Sequence, residues 1–394
     1  SAAFIETVPD SGKLDLVVAN YAHFDNEAGV PQLCEQKSVH GASLMTSCGP
    51  RHYTPIKAVL FRNQGSGRFA PPLTLAMTSG RGLGVAGCDY DGSGRPGIVF
   101  TNDETTGDLL QNKGAGTFAN VGTVSGTAYD RDGNVHGGMG VDWGDYDNDG
   151  RIDLLVATFQ NEPKSLYHNE GGGIFTDMAY LSGIGTAAYA NVAFGCKFVD
   201  FDNDGWLDIV LANGHVQDNI AEIDSSTNYR QSLQLFRNRG LTEGKRVTFE
   251  DVSRQGGADF GRTLVGRGLA IGDFDNDGRM DLLVVDSEGK PLLLHNQVQS
   301  ANHWLGVRLI GTRSNRDGYG AILRLQAGGL RQTRLCHADG SYMSSSDPRV
   351  HFGLGSAARV EELIVQWPSG QTDRLSSIPV DRYITLREGQ GILP

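Results

Sequence analysis

The chain has 394 residues, 54 of them glycine, with 20% charged residues and a formal net charge of −12. That length allows a large core and one to three domains. The acidic balance excludes nucleic acid as the main partner, and the composition is that of a loop-rich globular chain rather than a disordered one. No apolar run approaches the ~20 residues that span a bilayer, so no transmembrane segment is expected; with Ser1 first and no signal-like stretch, the sequence reads as a mature, processed form.

In chain order, the first strand-like run is residues 13–20, behind a damaged loop. Aligning Gly12 with the turn glycine of the later loops puts Thr7, Pro9 and Ser11 where those loops carry acids, leaving Asp15 as a ligand and Asp10 out of phase. Either this site is dead or residues belonging to the unit are missing. An insertion at 21–58 carries His23, His40 and His52, whose irregular spacing reads as solvated loop histidines rather than zinc ligands. It also holds Cys34 and Cys48, expected to form a disulfide; Cys88 and Cys196 read as buried free thiols and Cys336 stands alone.

Three full copies of one loop follow. They are Asp145-Tyr146-Asp147-Asn148-Asp149-Gly150-Arg151-Ile152-Asp153, Asp200-Phe201-Asp202-Asn203-Asp204-Gly205-Trp206-Leu207-Asp208 and Asp273-Phe274-Asp275-Asn276-Asp277-Gly278-Arg279-Met280-Asp281. A weaker copy begins at Asp89 and Asp91, with Ser93 at position 5 and Gly97 at position 9. Carboxylates so close repel unless a cation sits between them, and hard oxygens at alternating positions of a tight loop suit calcium. An EF-hand would need a glutamate at position 12 and flanking helices. Position 12 here is Phe100, Val156, Leu211 or Val284, each inside a strand-like run. The unit is therefore strand, calcium loop, strand, with three strong sites and a weaker fourth.

A second phrase follows each loop: Leu60-Phe61-Arg62-Asn63, Leu110-Gln111-Asn112, Tyr167-His168-Asn169, Phe236-Arg237-Asn238 and a last stub, Leu294-His295-Asn296. Asparagine and glycine between apolar runs are hairpin chemistry. Four short strands per roughly 55 residues indicate an all-β chain built as a β-propeller. The longest step contains an insertion at about 213–232.

These phrases resemble the FG-GAP/VCBS repeat family, the integrin-α-like calcium propellers, and their cartilage-acidic-protein branch. Residues 302–305, 311–316, 318–321, 351–355 and 367–370 are similar to the ASPIC/UnbV domain that follows such propellers. The resemblance implies a propeller over 1–299 and a C-terminal β domain, sandwich-like, over 300–394. It also implies calcium ligands at positions 1, 3, 5 and 9 of each loop, plus the position-7 carbonyls of Arg95, Arg151, Trp206 and Arg279. Family propellers usually have seven blades and five units are visible here, so the expectation is that N-terminal blades are missing from this chain or supplied otherwise, with a closed ring of five or six blades as the alternative.

The six arginines at 308, 313, 316, 324, 331 and 334 form a locally basic stretch, read mainly as solvated strand faces rather than a polyanion-binding face. No nucleophile elbow or zincin motif occurs, and residues 240–246 do not make a P-loop. His136, His215 and Asp142 are weak catalytic candidates, with Asp218 a further acid. The expectation is an extracellular or periplasmic, secreted calcium-binding propeller used for binding, adhesion or surface assembly, with a protein or glycan ligand or self-association. The alternatives are a biosynthetic enzyme of cyclase or alkylating type with a pocket on the propeller axis, and a subunit of an extracellular filament or matrix.

Overall fold

The structure, a computed structural model, describes residues 1–23, 32–242 and 246–394. Part of the 21–58 insertion, residues 24–31, and Glu243, Gly244 and Lys245 of the 240–246 stretch lie outside the described residues. No helix among the described residues is long and apolar enough to cross a membrane.

Five antiparallel blade sheets follow one another among the described residues. Blade 1 is Ala2–Ile5, Asp15–Val18, Val59–Phe61 and Leu73–Thr74. Blade 2 is Gly82–Cys88, Gly97–Asn102, Asp108–Gly114 and Thr117–Asn120; blade 3 is Val141–Gly144, Asp153–Val156, Ser165–Gly171 and Ile174–Asp177. Blade 4 is Ala193–Val199, Asp208–Asn213, Gln234–Leu241 and Val247–Asp251. Blade 5 has three strands, Gly266–Gly272, Asp281–Asp286 and Leu292–Leu294. The first strands of successive blades lie side by side, 1 to 5 in order.

Side-chain alternation along each strand gives every blade two apolar faces, and neighbouring blades bury them against each other. Val17 and Leu60 of blade 1 pack with Val85, Ile98 and Phe100 of blade 2, and Val210 and Leu235 of blade 4 pack with Leu269 and Val284 of blade 5. The series stops at its ends. In blade 5, Leu283 and Leu293 occupy the places of Val210 and Leu235 but are 43% and 53% exposed; in blade 1, Phe4, the counterpart of buried Phe198, is 51% exposed. The five blades thus end in two uncovered apolar faces.

Residues 303–392 form two four-stranded sheets. One contains His303–Ile310, Val350–Gly355, Arg382–Arg387 and Gly391–Ile392; the other contains Ile322–Ala327, Leu330–Leu335, Arg359–Gln366 and Thr372–Pro379. They share a core of Leu305, Val307, Leu323, Phe352, Val365 and Trp367, a small sandwich.

The connection between its Leu330–Leu335 and Val350–Gly355 strands does not stay on the sandwich. It runs along the innermost strands of the blades. Asp339 accepts from the Gly87 N–H at 3.1 Å and from Lys197 Nζ at 3.2 Å. Ser341 pairs with Val141, Met343 N–H donates to the Ser1 hydroxyl at 3.1 Å, and Asp347 N–H donates to Ile271 O at 3.0 Å. One loop thus touches all five blades from inside.

The disulfide expected between Cys34 and Cys48 is present, and Cys88, Cys196 and Cys336 are buried and free.

A candidate metal centre in the blade loops

Each aspartate loop joins the first and second strands of its blade, and the position-9 aspartate opens the second strand in blades 3, 4 and 5. The loop shapes itself with its own carboxylates. Asp145 accepts from the N–H groups of Asp149 and Gly150 at 3.1 Å each; Asp200 accepts from Asp204 and Gly205 at 3.1 and 2.9 Å, and Asp273 from Asp277 and Gly278 at 3.0 and 2.8 Å. Position 4 of each full loop is an asparagine in the left-handed region, Asn148, Asn203 and Asn276, with φ of 57°, 61° and 61°. Asparagine tolerates this conformation better than most residues. Position 9 holds the next hairpin: the N–H of Asn169, Asn238 and Asn296 donates to Asp153, Asp208 and Asp281 at 2.8, 2.7 and 2.8 Å.

The fold brings these acids together. Carboxylate oxygens of Asp145, Asp147 and Asp153 lie within 4.8 Å of one another, as do those of Asp200, Asp202 and Asp208. In blade 5, Asp275 and Asp277 gather with His295. Burial pushes Asp145 up to about 7, with the charges of Asp147 and Asp149 adding to it and Arg334 opposing. Burial and the charge of Asp204 push Asp200 up to about 8, and burial holds Asp153 and Asp208 well above the carboxylate range. Asp202 Oδ1 and Asp89 Oδ1 are buried without a hydrogen-bond partner. Converging buried acids with an orphaned oxygen form a donor set that fits a hard divalent cation.

The residue before each hairpin asparagine faces the same carboxylates. Gln111 Nε2 donates to Asp91 at 2.7 Å, His168 Nε2 lies 3.0 Å from Asp147, Arg237 Nη2 lies 2.5 Å from Asp202, and His295 Nε2 lies 3.1 Å from Asp275. In the sequence this phrase reads only as hairpin chemistry, without the donor; the donor's fixed place before the asparagine is the signal that marks it. The position-7 arginines anchor on the hairpin through Nε: that of Arg95, Arg151 and Arg279 donates to the carbonyls of Asn112, Asn169 and Asn296 at 3.1, 2.5 and 2.7 Å, while Nη2 of Arg151 and Arg279 pairs with the position-5 acids Asp149 and Asp277. Trp206 lies over Gly240. The Asp89 loop retains the turn, Gly94 N–H to Asp89 at 2.9 Å, with Ser93 N–H on Asp91 at 3.1 Å, but Gly97 supplies no side chain.

Blade 1 corrects the sequence alignment. Gly12 N–H donates to Glu6 Oε1 at 2.8 Å, the bond that Gly150 makes to Asp145, so Glu6 rather than Thr7 takes position 1. The loop holds one extra residue, and the longer glutamate reaches across it. Thr7 falls at position 2: its carbonyl accepts from Asn112, as that of Tyr90 accepts from Asn169. Arg62 Nη1 then binds Asp15 at 2.9 Å and also Thr7 Oγ1, putting a guanidinium on the carboxylate that ends the loop.

The sandwich closes over the loops of blades 3 to 5. Arg334 is buried, with Nη2 3.3 Å from Gly205 O; it is no part of a basic surface. Arg349 Nη2 donates to Asp273 O at 2.7 Å, Tyr383 OH to Asp273 Oδ2 at 2.6 Å, and His351 Nε2 lies 3.0 Å from Gly278 O.

The catalytic candidates are held separately. Asp142 is buried and paired with Lys197 at 2.7 Å; its other oxygen accepts from Phe198 N–H. His136 sits 2.9 Å from Asp130 and 3.7 Å from Glu162. Burial would lower it, but those acids outweigh burial and hold it above its ordinary value. His215 is buried against Phe159, with Nδ1 accepting from Gln217 N–H at 3.0 Å; burial pushes it down to about 4. Among the described residues no hydrogen bond or ion pair links any two of the three.

On the end away from the aspartate loops, the insertions of blades 1 and 4 meet. Val39 N–H donates to Glu222 O and Gln217 Nε2 to Thr46 Oγ1, both at 2.8 Å. Between them lies a cleft of about 360 Å³ lined by Leu33, Met45, Gln217, Tyr229 and Glu288.

Successive three- and four-stranded antiparallel blades, three of them carrying full Asp-x-Asp-x-Asp-Gly turns, joined to a two-sheet sandwich, define a repeat propeller with a C-terminal β module. Residues 89–156, 145–211 and 200–284 match the FG-GAP-like repeat, and residues 311–393 match ASPIC and UnbV. The chain belongs to the FG-GAP-repeat proteins that carry an ASPIC and UnbV domain. It is similar to cartilage acidic protein 1 from Xenopus tropicalis, 29% identical over 303 residues, and from Mus musculus and Homo sapiens, each 30% identical over 304. These matches cover 75% of this chain but 42% of each relative. A solved Agrocybe aegerita lectin, described as recognising non-reducing terminal N-acetylglucosamine, is similar at 18% identity with a TM-score of 0.34 over 75% of this chain and 80% of that one.

Proposed function

We propose that the chain is a calcium-stabilised binding propeller that works outside the cytoplasm and holds a protein or glycan ligand on the end built by the two insertions. The observation that carries the calcium reading is the convergence of three aspartates in each of blades 3 and 4, all three buried in blade 4 and two of the three, Asp145 and Asp153, in blade 3, with the same loop again in blade 5. When bound, the ion supplies the positive charge that lets these carboxylates stay ionised in the interior. The chain's own residues do the rest: positions 1 and 9 brace the turn through backbone N–H groups, and the hairpin asparagine ties it to the neighbouring strand. The Cys34–Cys48 disulfide is in keeping with an oxidising compartment. The cleft between the insertions offers apolar walls from Leu33 and Met45 with polar groups from Gln217, Tyr229 and Glu288, a mixture that suits a glycan or a peptide.

The test is to titrate calcium into chelator-stripped protein while counting ions and following thermal unfolding. Three tight ions, a fourth weaker one at the Asp89 loop and a large rise in Tm are expected. Little binding and an unchanged Tm would remove the reading.

Assembly into a filament or matrix is favoured by one further observation, the uncovered apolar faces of blades 1 and 5. Sedimentation at graded concentrations with calcium present tests it, and a monomer throughout would exclude it. An axial enzyme pocket has less support, because the loop through Asp339, Ser341 and Asp347 lies along the inner strands where such a pocket would open.

A further inference from the structure

The loops of blades 3, 4 and 5 are not isolated from one another. The side-chain amide of Asn148, position 4 of the blade 3 loop, donates to Gly205 O, position 6 of the blade 4 loop, at 3.1 Å. The step repeats one blade on, where Asn203 Nδ2 donates to Gly278 O at 3.0 Å. Blade 5 has no following loop among the described residues, and there Asn276 accepts from Arg349 of the sandwich. The same two glycine carbonyls also receive sandwich residues, Gly205 from Arg334 and Gly278 from His351.

Each link therefore joins the turn of one loop to the turn of the next. Position 4 lies between the acids at positions 3 and 5, and position 6 directly follows the acid at position 5. The left-handed backbone at position 4 aims the amide sideways out of its own loop. Whatever fixes one turn fixes the donor that holds the next one. Blade 2 lacks the device: its position 4 is Gly92, which has no side chain to reach Gly150.

We propose that the position-4 asparagines couple the three loops, so that divalent cations bind blades 3, 4 and 5 cooperatively while the Asp89 loop binds on its own. The inference rests on the calcium reading above. It follows from a shared hydrogen bond whose two ends belong to two different sites, which is the physical content of a coupling free energy.

The experiment is calorimetric titration of calcium chloride into the chelator-stripped full chain, in wild type, Asn203→Asp and Gly92→Asn. Asn203→Asp keeps the shape and the backbone preference but cannot donate. It breaks the link from blade 4 to blade 5 and leaves Asn148 joining blade 3 to blade 4, so it is expected to take the blade 5 ion out of the cooperative set and weaken that ion by roughly 5-fold or more. Gly92→Asn is the gain test. Gly92 has φ of +70°, and a Cβ there meets no atom within 4 Å, so asparagine is accommodated. It is expected to bring the fourth, weaker ion into the cooperative set. Three ions that bind independently in wild type, or isotherms unchanged in both variants, would overturn the coupling while leaving the calcium sites standing. A wild-type chain that binds no calcium would remove the sites and the coupling together.

Discussion

Glu388 shows how much one buried acid can hold. Its carboxylate accepts from the N–H groups of Thr312, Arg313 and Ser314 at 2.7, 2.8 and 2.9 Å, and from the hydroxyls of Ser314 and Ser369. Burial alone would raise it, but these bonds, Ser369 foremost, outweigh burial and hold it down to about 2. A carboxyl lowered on folding stabilises the native state above its unfolded value near 4.3, and that stability is lost as pH falls toward about 2. Glu388→Gln is expected to cost about 2 kcal/mol at pH 7 and to flatten the acid limb of the unfolding curve between about pH 4 and 2. Urea unfolding across that window measures both. An acid limb identical to wild type would mean the carboxylate contributes nothing.

A single blade carries its own variation on the loop. In blade 1 the guanidinium of Arg62 stands on Asp15, nearly buried and bonded as well to Thr7 and, at 2.7 Å, to Gly116 O of blade 2. It supplies a fixed positive charge to a loop that has lost most of its acids. Arg62→Ala leaves Asp15 buried without its partner, so a loss of about 3 kcal/mol is expected. The loss should be the same in calcium and in chelator, because this blade holds its own cation. A penalty that disappears on adding calcium would show that the ion binds blade 1 as well. Blade 5 varies differently: it keeps the full loop but has three strands, and its Leu283 and Leu293 face outward.

Across the whole molecule, the contrast between covered and uncovered blade faces is measurable. Val210 and Leu283 occupy equivalent places in blades 4 and 5, 0% and 43% exposed. Val210→Asp buries an unpaired charge and is expected to cost more than about 3 kcal/mol, whereas Leu283→Asp should stay within about 0.5 kcal/mol. Equal penalties in thermal unfolding would show that the blade 5 face is covered in solution. The sandwich loop that touches all five inner strands makes propeller and sandwich one packed body, so the two are expected to unfold in a single transition.

The local chemistry was legible in the sequence because it is local. A turn that needs acids at alternating positions, a glycine and an outgoing strand writes itself in nine consecutive residues, and three repetitions gave the blade period and the metal candidates. The disulfide was legible for the same reason, two cysteines 14 residues apart in one insertion. What tertiary structure decided was every relation between distant segments. Glu6 could not be recognised at position 1 because its role rests on an extra loop residue and a longer side chain. Arg334 reads in the sequence as one of a row of solvated strand arginines, whereas the fold buries it where the sandwich closes on the loops, and Asp142 reads as a weak catalytic candidate, whereas Lys197, 55 residues on, lies against it. The links from Asn148 and Asn203 join residues 57 and 75 apart. Sequence spacing fixes a turn, because its geometry depends on neighbours along the chain; which turns touch depends on how the blades pack, and packing is a property of the whole fold.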